Sequence, residues 1–545
     1  MKTNVFLCMA AALMVAACGD PSYRHNSSEK VSVINSTPDE VIEEDVEITS
    51  NEAALMEPSA NATSKMILSS PPQQRNAETY KEIKENSFVA VAQQPVTTFS
   101  ADVDRAAYAN VRRIIGYGQI PPKDAVRIEE MVNYFDYDYP APEEGSASPL
   151  RVSPELAPAP WNPNHLLLRI GLQAKKIDLT KAPPSNIVFL IDVSGSMDEE
   201  NKLPLLKSSF KMLLGQLRPD DKIAIVTYAN GTKVALPSTS VKDKEKIIKV
   251  LDNLYASGGT SGGRGIQLAY EQAQKSFIKN GNNRIILATD GDFNIGINNT
   301  TDLEKFIEKQ RESGIYMSVL GFGIGNYRDD MAETIADKGN GNYAYIDNIT
   351  EAKKVLVNEL SGTLFAVAKD VKLQLEFNPK YVKEYKLIGY ENRMLANEDF
   401  TNDKKDAGEI GAGHTVTALY ELVPSDGKVA QSLRYQSQEL NEKGKGNELG
   451  FLKIRYKDPK VKDAKSVEIT EPLVFNKKAL KETSTDYRFA ASVAEFGILL
   501  RDNSNKAKAT YDQVIELAEG AIGKDPEGYR KEFVRLVKSV KMLPK

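Results

Sequence analysis

The chain has few of the side chains that most often bind zinc or supply a nucleophile and its base. It contains two cysteines and three histidines in 545 residues. Both cysteines, Cys8 and Cys18, lie close to the amino terminus, and the histidines are far apart. A structural zinc site needs about four such ligands, and a disulfide framework needs paired cysteines. We therefore expect neither kind of site.

The chain also lacks an excess of charge of either sign. It has 70 Lys+Arg against 75 Asp+Glu, a formal net charge of −5. Nucleic-acid-binding domains carry a basic face and a high pI, so no nucleic-acid partner is expected. The hydrophobic content of 41% and the charged content of 27% are those of globular proteins. The length predicts about three or four structural units.

The amino terminus has the organisation of a bacterial lipoprotein signal. Met1-Lys2 precedes the apolar stretch Val5–Ala17, which is shorter than the roughly 20 residues of a membrane-spanning helix. Val15-Ala16-Ala17-Cys18 resembles the signal at which cleavage is followed by acylation of the cysteine. Residues 1–17 are then expected to be a signal peptide, and lipid on Cys18 to anchor the protein in the cell envelope. The anchored protein would be at the outer membrane or face the periplasm, or be exposed on the cell surface, and the sequence leaves the membrane and the leaflet open. An ordinary secretory signal is the alternative.

The next two segments differ in composition. Residues 18–94 begin with the predicted lipid-bearing cysteine and are rich in Ser, Asn, Glu, Pro and Thr without a sustained period. This composition favours a disordered tether. Residues 95–183 are predicted to form an extension of helices and strands, whose first helix follows Asp102 and Asp104 as candidate caps.

Residues 184–366 alternate apolar runs of strand length with helical patterns. Continuous apolar runs are typical of parallel strands that are buried on both faces. The four runs are Ile187–Ile191, Ile223–Tyr228, Arg284–Thr289 and Ile315–Leu320. We predict an α/β fold with a doubly wound, mainly parallel sheet, whose ligand site lies beyond the carboxyl ends of the strands at a switch in strand order.

A D-x-S-x-S array follows the first of these strands immediately. Asp192, Ser194 and Ser196 can direct one carboxylate and two hydroxyls at a common point. Oxygen ligands of this kind suit a hard cation such as Mg²⁺. Thr260 and Asp290, in two later loops, could complete the set. The alternative is that the two serines cap a helix and Asp192 joins a buried hydrogen-bond network.

This constellation resembles the metal-ion-dependent adhesion site (MIDAS) of the von Willebrand factor type A domain. The resemblance implies that the serines and the threonine touch the metal, and that the aspartates act through water or hydrogen bonds. One coordination position then stays open for an acidic side chain of a partner protein. Mg²⁺ is the preferred ion, with Mn²⁺ or Ca²⁺ as alternatives.

The implied function is cation-dependent protein–protein interaction or adhesion, without a catalytic residue or an organic cofactor. A metal-dependent hydrolase, or a subunit of an enzyme or transport assembly, is the alternative. In a third arrangement, an acid from the carboxyl-terminal part of the same chain fills the open metal position.

The segments after the type A domain have other patterns. Residues 367–480 alternate with a period of two, as half-buried antiparallel strands do, and residues 481–545 are predicted to be helical. Similar alternation in Leu166–Leu172 predicts that a strand before the type A domain pairs with strands after it, giving a β-sandwich. Val126–Phe135 and Gly408–His414 look like the extension and the trailing domain of unknown function in a family of bacterial type A lipoproteins.

Three loops match other functional motifs only in part. Gly259–Gly263 fits the hydrolase elbow G-x-S-x-G, but it follows a helical pattern and no histidine is well placed. Gly321–Asn326 has asparagine where a dinucleotide fingerprint needs its third glycine. The loop from Asp290 has Thr301 where an EF-hand needs glutamate. We therefore expect neither a hydrolase elbow, nor a dinucleotide site, nor an EF-hand at these loops.

Overall fold

The computed structural model describes residues 78–101, 104–259, 262–291, 300–325, 327–426, 446–461, 464–502 and 506–544. The predicted signal peptide, Cys18, most of the predicted tether and Thr260 lie outside these ranges. Within them, no helix is both long enough and apolar enough to cross a bilayer.

Two short strands, two helices and a long hairpin form the amino-terminal part. They are β1 (Val89–Ala90), β2 (Val96–Ser100), α1 (Ala106–Gly116), α2 (Ile128–Asn133), β3 (Leu150–Ala159) and β4 (Asn162–Ala174). The residue before α1 is Arg105, whose side chain does not cap this helix. The Ala107 N–H in the first turn donates to the Glu130 carboxylate at 2.9 Å. Asp104 instead accepts a hydrogen bond from the Tyr343 backbone N–H at 3.0 Å and one from Arg393 at 3.1 Å. The expected capping role of Asp104 is therefore wrong, because its carboxylate is used to join distant segments.

The central part contains the predicted α/β sheet. Its elements are β5 (Ser185–Asp192), α3 (Leu203–Gln216), β6 (Lys222–Tyr228), β7 (Thr232–Ser240), α4 (Lys244–Asp252), α5 (Gly262–Lys275), β8 (Asn282–Thr289), α6 (Thr300–Arg311), β9 (Ile315–Phe322), α7 (Asp329–Lys338), β10 (Tyr343–Ile346), α8 (Ile349–Lys353) and α9 (Leu360–Leu364). The strand order is β10-β9-β8-β5-β6-β7. Neighbouring strands are parallel except for the pair β6 and β7. The doubly wound, mainly parallel sheet is confirmed.

Side chains on the two faces of this sheet belong to two apolar cores. In β5, Ile187 and Phe189 pack in one core with Phe210 of α3. Val188 and Leu190 point to the opposite face, where they share a core with Ile266 of α5. Every residue of β5 is buried, which is why the run reads as continuously apolar rather than alternating.

The strands that precede and follow the α/β part along the chain form a β-sandwich. Its later strands are β11 (Ala366–Phe377), β12 (Val382–Ile388), β13 (Gly408–Gly411), β14 (Thr415–Pro424), β15 (Glu448–Lys457) and β16 (Val467–Val474). One sheet has the order β1-β12-β14-β4-β3, and the other has the order β13-β11-β15-β16 with β2 also on β11. β4 pairs antiparallel with β14, placing Leu168 opposite Tyr420. The predicted pairing across the type A domain is therefore present, and residues 95–183 and 367–480 contribute strands to one common core.

Three helices complete the carboxyl-terminal part, as the pattern predicted. They are α10 (Thr485–Leu500), α11 (Tyr511–Glu519) and α12 (Tyr529–Met542). Phe489 and Phe533 of these helices form one aromatic cluster with Phe135 and Tyr108 from the region of α1 and α2. The amino-terminal extension and the carboxyl-terminal helices thus share a core.

Residues 78–94 differ from the expected disordered tether. β1 pairs with β12, and the carboxylate of Glu78 accepts hydrogen bonds from Arg113 at 2.8 Å and from the Gly325 backbone N–H at 3.0 Å. The Thr79 backbone N–H donates to the Tyr327 carbonyl at 3.1 Å. These contacts are individual polar interactions, which give the sequence no hydrophobic periodicity. The composition of this segment therefore did not predict them.

Candidate metal centre

The D-x-S-x-S array lies where the strand order of the α/β sheet reverses. Asp192 is the last residue of β5, which lies between β8 and β6. Asp290 directly follows the last residue of β8. Parallel neighbours end at the same edge of a sheet, so both carboxylates reach the crevice that the topology predicts.

A short turn brings the two serines together. The Asp192 Oδ1 atom accepts a hydrogen bond from the Ser194 backbone N–H at 2.9 Å, and the hydroxyls of Ser194 and Ser196 lie 3.1 Å apart. Asp192 and Ser194 are almost fully buried. Ser194 precedes the 3₁₀ turn Gly195–Asp198, yet its side chain makes no capping hydrogen bond to that turn. Ser194 therefore does not cap this turn, whereas Asp192 does join a buried hydrogen-bond network, as the alternative expected.

The loop that leads to Thr260 is fixed to this turn by its backbone. The Gly195 N–H donates to the Gly258 carbonyl at 2.8 Å, and the Ser257 N–H donates to the Val193 carbonyl at 2.8 Å. On the other side, the Gly259 N–H donates to the side chain of Asn230. These hydrogen bonds hold the loop against the D-x-S-x-S turn up to Gly259, the last residue before Thr260 that the structure describes.

The third loop adds Asp290 and an unexpected cation. The Thr289 hydroxyl donates to Asp192 Oδ2 at 3.4 Å and accepts from the Gly291 N–H at 3.1 Å. Asp290 is fully buried, and its Oδ2 atom lies 3.2 Å from the Lys202 ammonium. Sequence reasoning missed Lys202, because a lysine just before a helix usually faces water.

The electrostatics of the turn suit a cation. Burial raises the pKa of Asp192 to about 6, against hydrogen bonds from Ser194 that lower it, and the charge of Asp290 raises it further. A nearby cation would reverse this shift, because opposite charge favours the ionised carboxylate.

The donor set fits a hard metal ion. Asp192, Ser194, Ser196 and Asp290 offer only oxygen, the ligand that Mg²⁺ and Ca²⁺ prefer. Over the ranges that the structure describes, no three His, Cys, Asp or Glu side chains cluster in a way that could hold a metal. A site made of two carboxylates and several hydroxyls would not form such a cluster.

Comparisons with known proteins agree with this architecture. The family models "von Willebrand factor", "von Willebrand factor type A domain" and "Uncharacterized protein YfbK, C-terminal" match residues 74–169, 186–358 and 362–543, respectively. The relative "Uncharacterized protein YfbK" from Escherichia coli (strain K12) is 48% identical over 465 residues, which cover 84% of this chain and 80% of the relative. The chain belongs to the YfbK family of von Willebrand factor type A proteins.

More distant relatives and solved structures are also similar to this chain. "Uncharacterized protein sll0103" from Synechocystis sp. is 26% identical over 326 residues, which cover 60% of this chain and 74% of that relative. The solved structure "von Willebrand factor type A from Catenulispora acidiphila" is 15% identical with a TM-score of 0.40, over 71% of this chain and 89% of that one. The family assignment confirms the predicted type A domain and trailing domain of unknown function.

Proposed function

We propose that the type A domain holds a divalent cation and presents it to an acidic side chain of another protein. Asp192, Ser194, Ser196, Thr260 and Asp290 would hold the ion, directly or through water. The ion would supply a positive centre for a partner carboxylate. Mg²⁺ fits these oxygen donors best, with Mn²⁺ and Ca²⁺ as alternatives.

One observation carries this proposal. Two buried carboxylates and two adjacent hydroxyls lie at the carboxyl ends of β5 and β8, at the switch in strand order. Burying two carboxylates in one crevice is costly unless positive charge offsets it, and the Lys202 ammonium pairs with only one of them, Asp290. Hydroxyls, in contrast to imidazole or a thiol, bind hard cations without supplying a base, which favours binding of a ligand over its hydrolysis.

The first test measures metal binding by thermal unfolding of the protein in Mg²⁺, Mn²⁺ or Ca²⁺ and in EDTA. A ligand at one hundred times its dissociation constant stabilises the folded state by about 2.7 kcal/mol. We expect the metal ion to raise the unfolding temperature of the native protein and to leave that of Asp192→Ala unchanged. Asp220→Ala is the matched control, because Asp220 is exposed just before β6 starts, at the opposite end of the sheet. An equal response of Asp192→Ala and the native protein would overturn the metal assignment.

Partner binding is tested with the same variants. Proteins retained by the immobilised protein in Mg²⁺ should be released by EDTA, absent with Asp192→Ala and displaced by a peptide containing the partner's acidic residue. Retention that is insensitive to EDTA would contradict the proposal. Metal-dependent cleavage of ester, phosphate or peptide substrates that Asp192→Ala abolishes would favour the hydrolase instead.

We also propose that lipid on Cys18 anchors the protein in the cell envelope. The supporting feature is the sequence Val15-Ala16-Ala17-Cys18 after a short apolar stretch. Cys18→Ala should move the protein from the membrane fraction to the soluble extracytoplasmic fraction and abolish labelling by a palmitate analogue. Cys8→Ala, in the predicted signal peptide, is the matched control and should leave both unchanged. Membrane association of Cys18→Ala without label would contradict lipid anchoring.

A further inference from the structure

A buried lysine ammonium lies within the candidate metal centre. Lys202 Nζ donates to the Ser196 carbonyl at 2.8 Å and to Glu199 Oε1 at 3.1 Å. It also lies 3.2 Å from Asp290 Oδ2, and its side chain is only 3% exposed. Two of its three neighbours, Ser196 and Asp290, therefore belong to the residues that would hold the ion.

The fold provides a specific place for this side chain. Gly323, in the loop after β9, has φ +79° and lies against the Lys202 stem so closely that a Cβ there would overlap the Cγ, Cδ and Cε atoms. The Tyr345 hydroxyl donates to the Gly323 carbonyl and helps to fix the loop. Gly323, part of a glycine-rich pattern that resembles a dinucleotide fingerprint only in part, thus leaves space for the lysine stem.

The position of the backbone restricts Lys202 further. It is the residue immediately before α3, and its N–H donates to the Glu199 carbonyl at 3.0 Å. Its ammonium therefore enters the crevice from a fixed point and reaches Asp290 with little freedom. A buried, tightly packed cation of this kind is costly unless it is paired, which here means pairing with a site carboxylate.

We propose that Lys202 is an internal counter-cation that stabilises Asp290 without metal and weakens the binding of the divalent ion. The inference rests on the proposed metal function. Like charges a few ångströms apart repel strongly where water is excluded. The divalent ion must therefore enter a site whose carboxylate charge Lys202 already offsets in part. With the divalent ion bound, the site carries one more positive charge than it would without Lys202. This extra charge favours an anionic ligand at the open position.

Titration of the protein with Mn²⁺, followed by calorimetry and by the electron paramagnetic resonance signal of the free ion, tests this inference. Lys202→Met removes the charge and keeps an apolar stem against Gly323. We expect it to bind Mn²⁺ about tenfold more tightly than the native protein, and to unfold at a lower temperature in EDTA. Lys202→Arg keeps the charge and should bind Mn²⁺ with nearly native affinity.

Lys211→Met is the control for the loss of one positive charge. Lys211 lies on α3 and pairs with Asp252 at 2.5 Å, with 39% of its side chain exposed. This variant should bind Mn²⁺ as the native protein does. If Lys202→Met is too unstable in EDTA to titrate, Lys202→Gln replaces it, because the amide can still donate to the Ser196 carbonyl.

The outcomes separate the two proposals. Tighter Mn²⁺ binding by Lys202→Met or Lys202→Gln, with native affinity in Lys211→Met, supports the counter-cation. Equal or weaker binding in the Lys202 variants, when the native protein does bind Mn²⁺, overturns the counter-cation and leaves the metal function intact. No Mn²⁺ binding by the native protein and by Lys202→Met overturns both.

Discussion

Glu495 lies in the core of the helical part, far in sequence from the metal centre. It is fully buried on α10. Its carboxyl group lies near the Thr510 backbone, but neither of its oxygens forms a hydrogen bond with any residue that the structure describes. Burial raises the pKa of this carboxyl to about 8. Glu495 is therefore a carboxyl group that the folded protein holds largely neutral near pH 7.

A raised carboxyl pKa makes stability depend on pH in a defined direction. Between the unfolded pKa of 4.5 and the folded value of about 8, the folded protein binds the proton more tightly than the unfolded chain. The contribution of Glu495 to stability is therefore full below pH 4.5 and is lost as the pH rises toward 8. We expect Glu495→Gln to stabilise the protein by roughly 2 kcal/mol at pH 8 and by little at pH 5.

Chemical denaturation at both pH values measures this difference. Glu516→Gln is the matched control, since Glu516 is exposed on α11, and it should leave stability unchanged at both. If the gain from Glu495→Gln is the same at pH 5 and pH 8, the carboxyl does not titrate as the structure indicates.

At the scale of elements, the strands that the sequence predicted best are those buried on both faces of the α/β sheet. β5 and β8 are buried along their whole length, so their apolar runs identified them, and with them the positions of Asp192 and Asp290. β7, Thr232–Ser240, was not predicted. It is the antiparallel edge strand of the sheet, half of its sequence is polar, and it includes Pro237.

Part of the candidate metal centre was predictable for a related reason. The D-x-S-x-S spacing is local, and the structure places both serine hydroxyls together within one turn. The sequence did not predict the roles of Lys202 and Asn230. Lys202 contacts Asp290, and Asn230 accepts a hydrogen bond from Gly259, and both partners lie far away in sequence. Gly323 belongs to a glycine-rich pattern that is visible in the sequence. That pattern is similar to a nucleotide-binding motif, so it did not indicate a contact with a lysine.

At the scale of the whole molecule, buried ion pairs join the type A domain to the extension that precedes it. Arg127, just before α2, pairs with Glu130 on α2 and with Asp329, the first residue of α7 in the α/β part. The Tyr343 hydroxyl donates to Asp329 as well, at 2.7 Å. All three charged groups are buried, and Arg112 makes a similar connection to the α/β part through Asp347. A domain inserted into a sandwich is thereby fixed to its host by charge as well as by chain connectivity.

We expect Arg127→Met to weaken this connection more than it weakens either part alone. Removing the cation leaves two buried carboxylates without their partner, a loss of about 3–5 kcal/mol for a broken buried pair. The native protein should unfold in one transition, whereas the variant should show two, of which Mg²⁺ raises only the one belonging to the type A domain. Calorimetry with and without Mg²⁺ makes the measurement.

Arg151→Met is the control for this experiment, because Arg151 forms a solvent-exposed pair with Glu143 at 3.7 Å. Exposed pairs contribute about 0–1 kcal/mol, so this variant should unfold like the native protein. A single native-like transition in Arg127→Met would show that the apolar contacts alone couple the two parts. Two transitions that both respond to Mg²⁺ would mean that coupling survives the loss of the ion pair, since a ligand stabilises only those parts whose folding is linked to its own site.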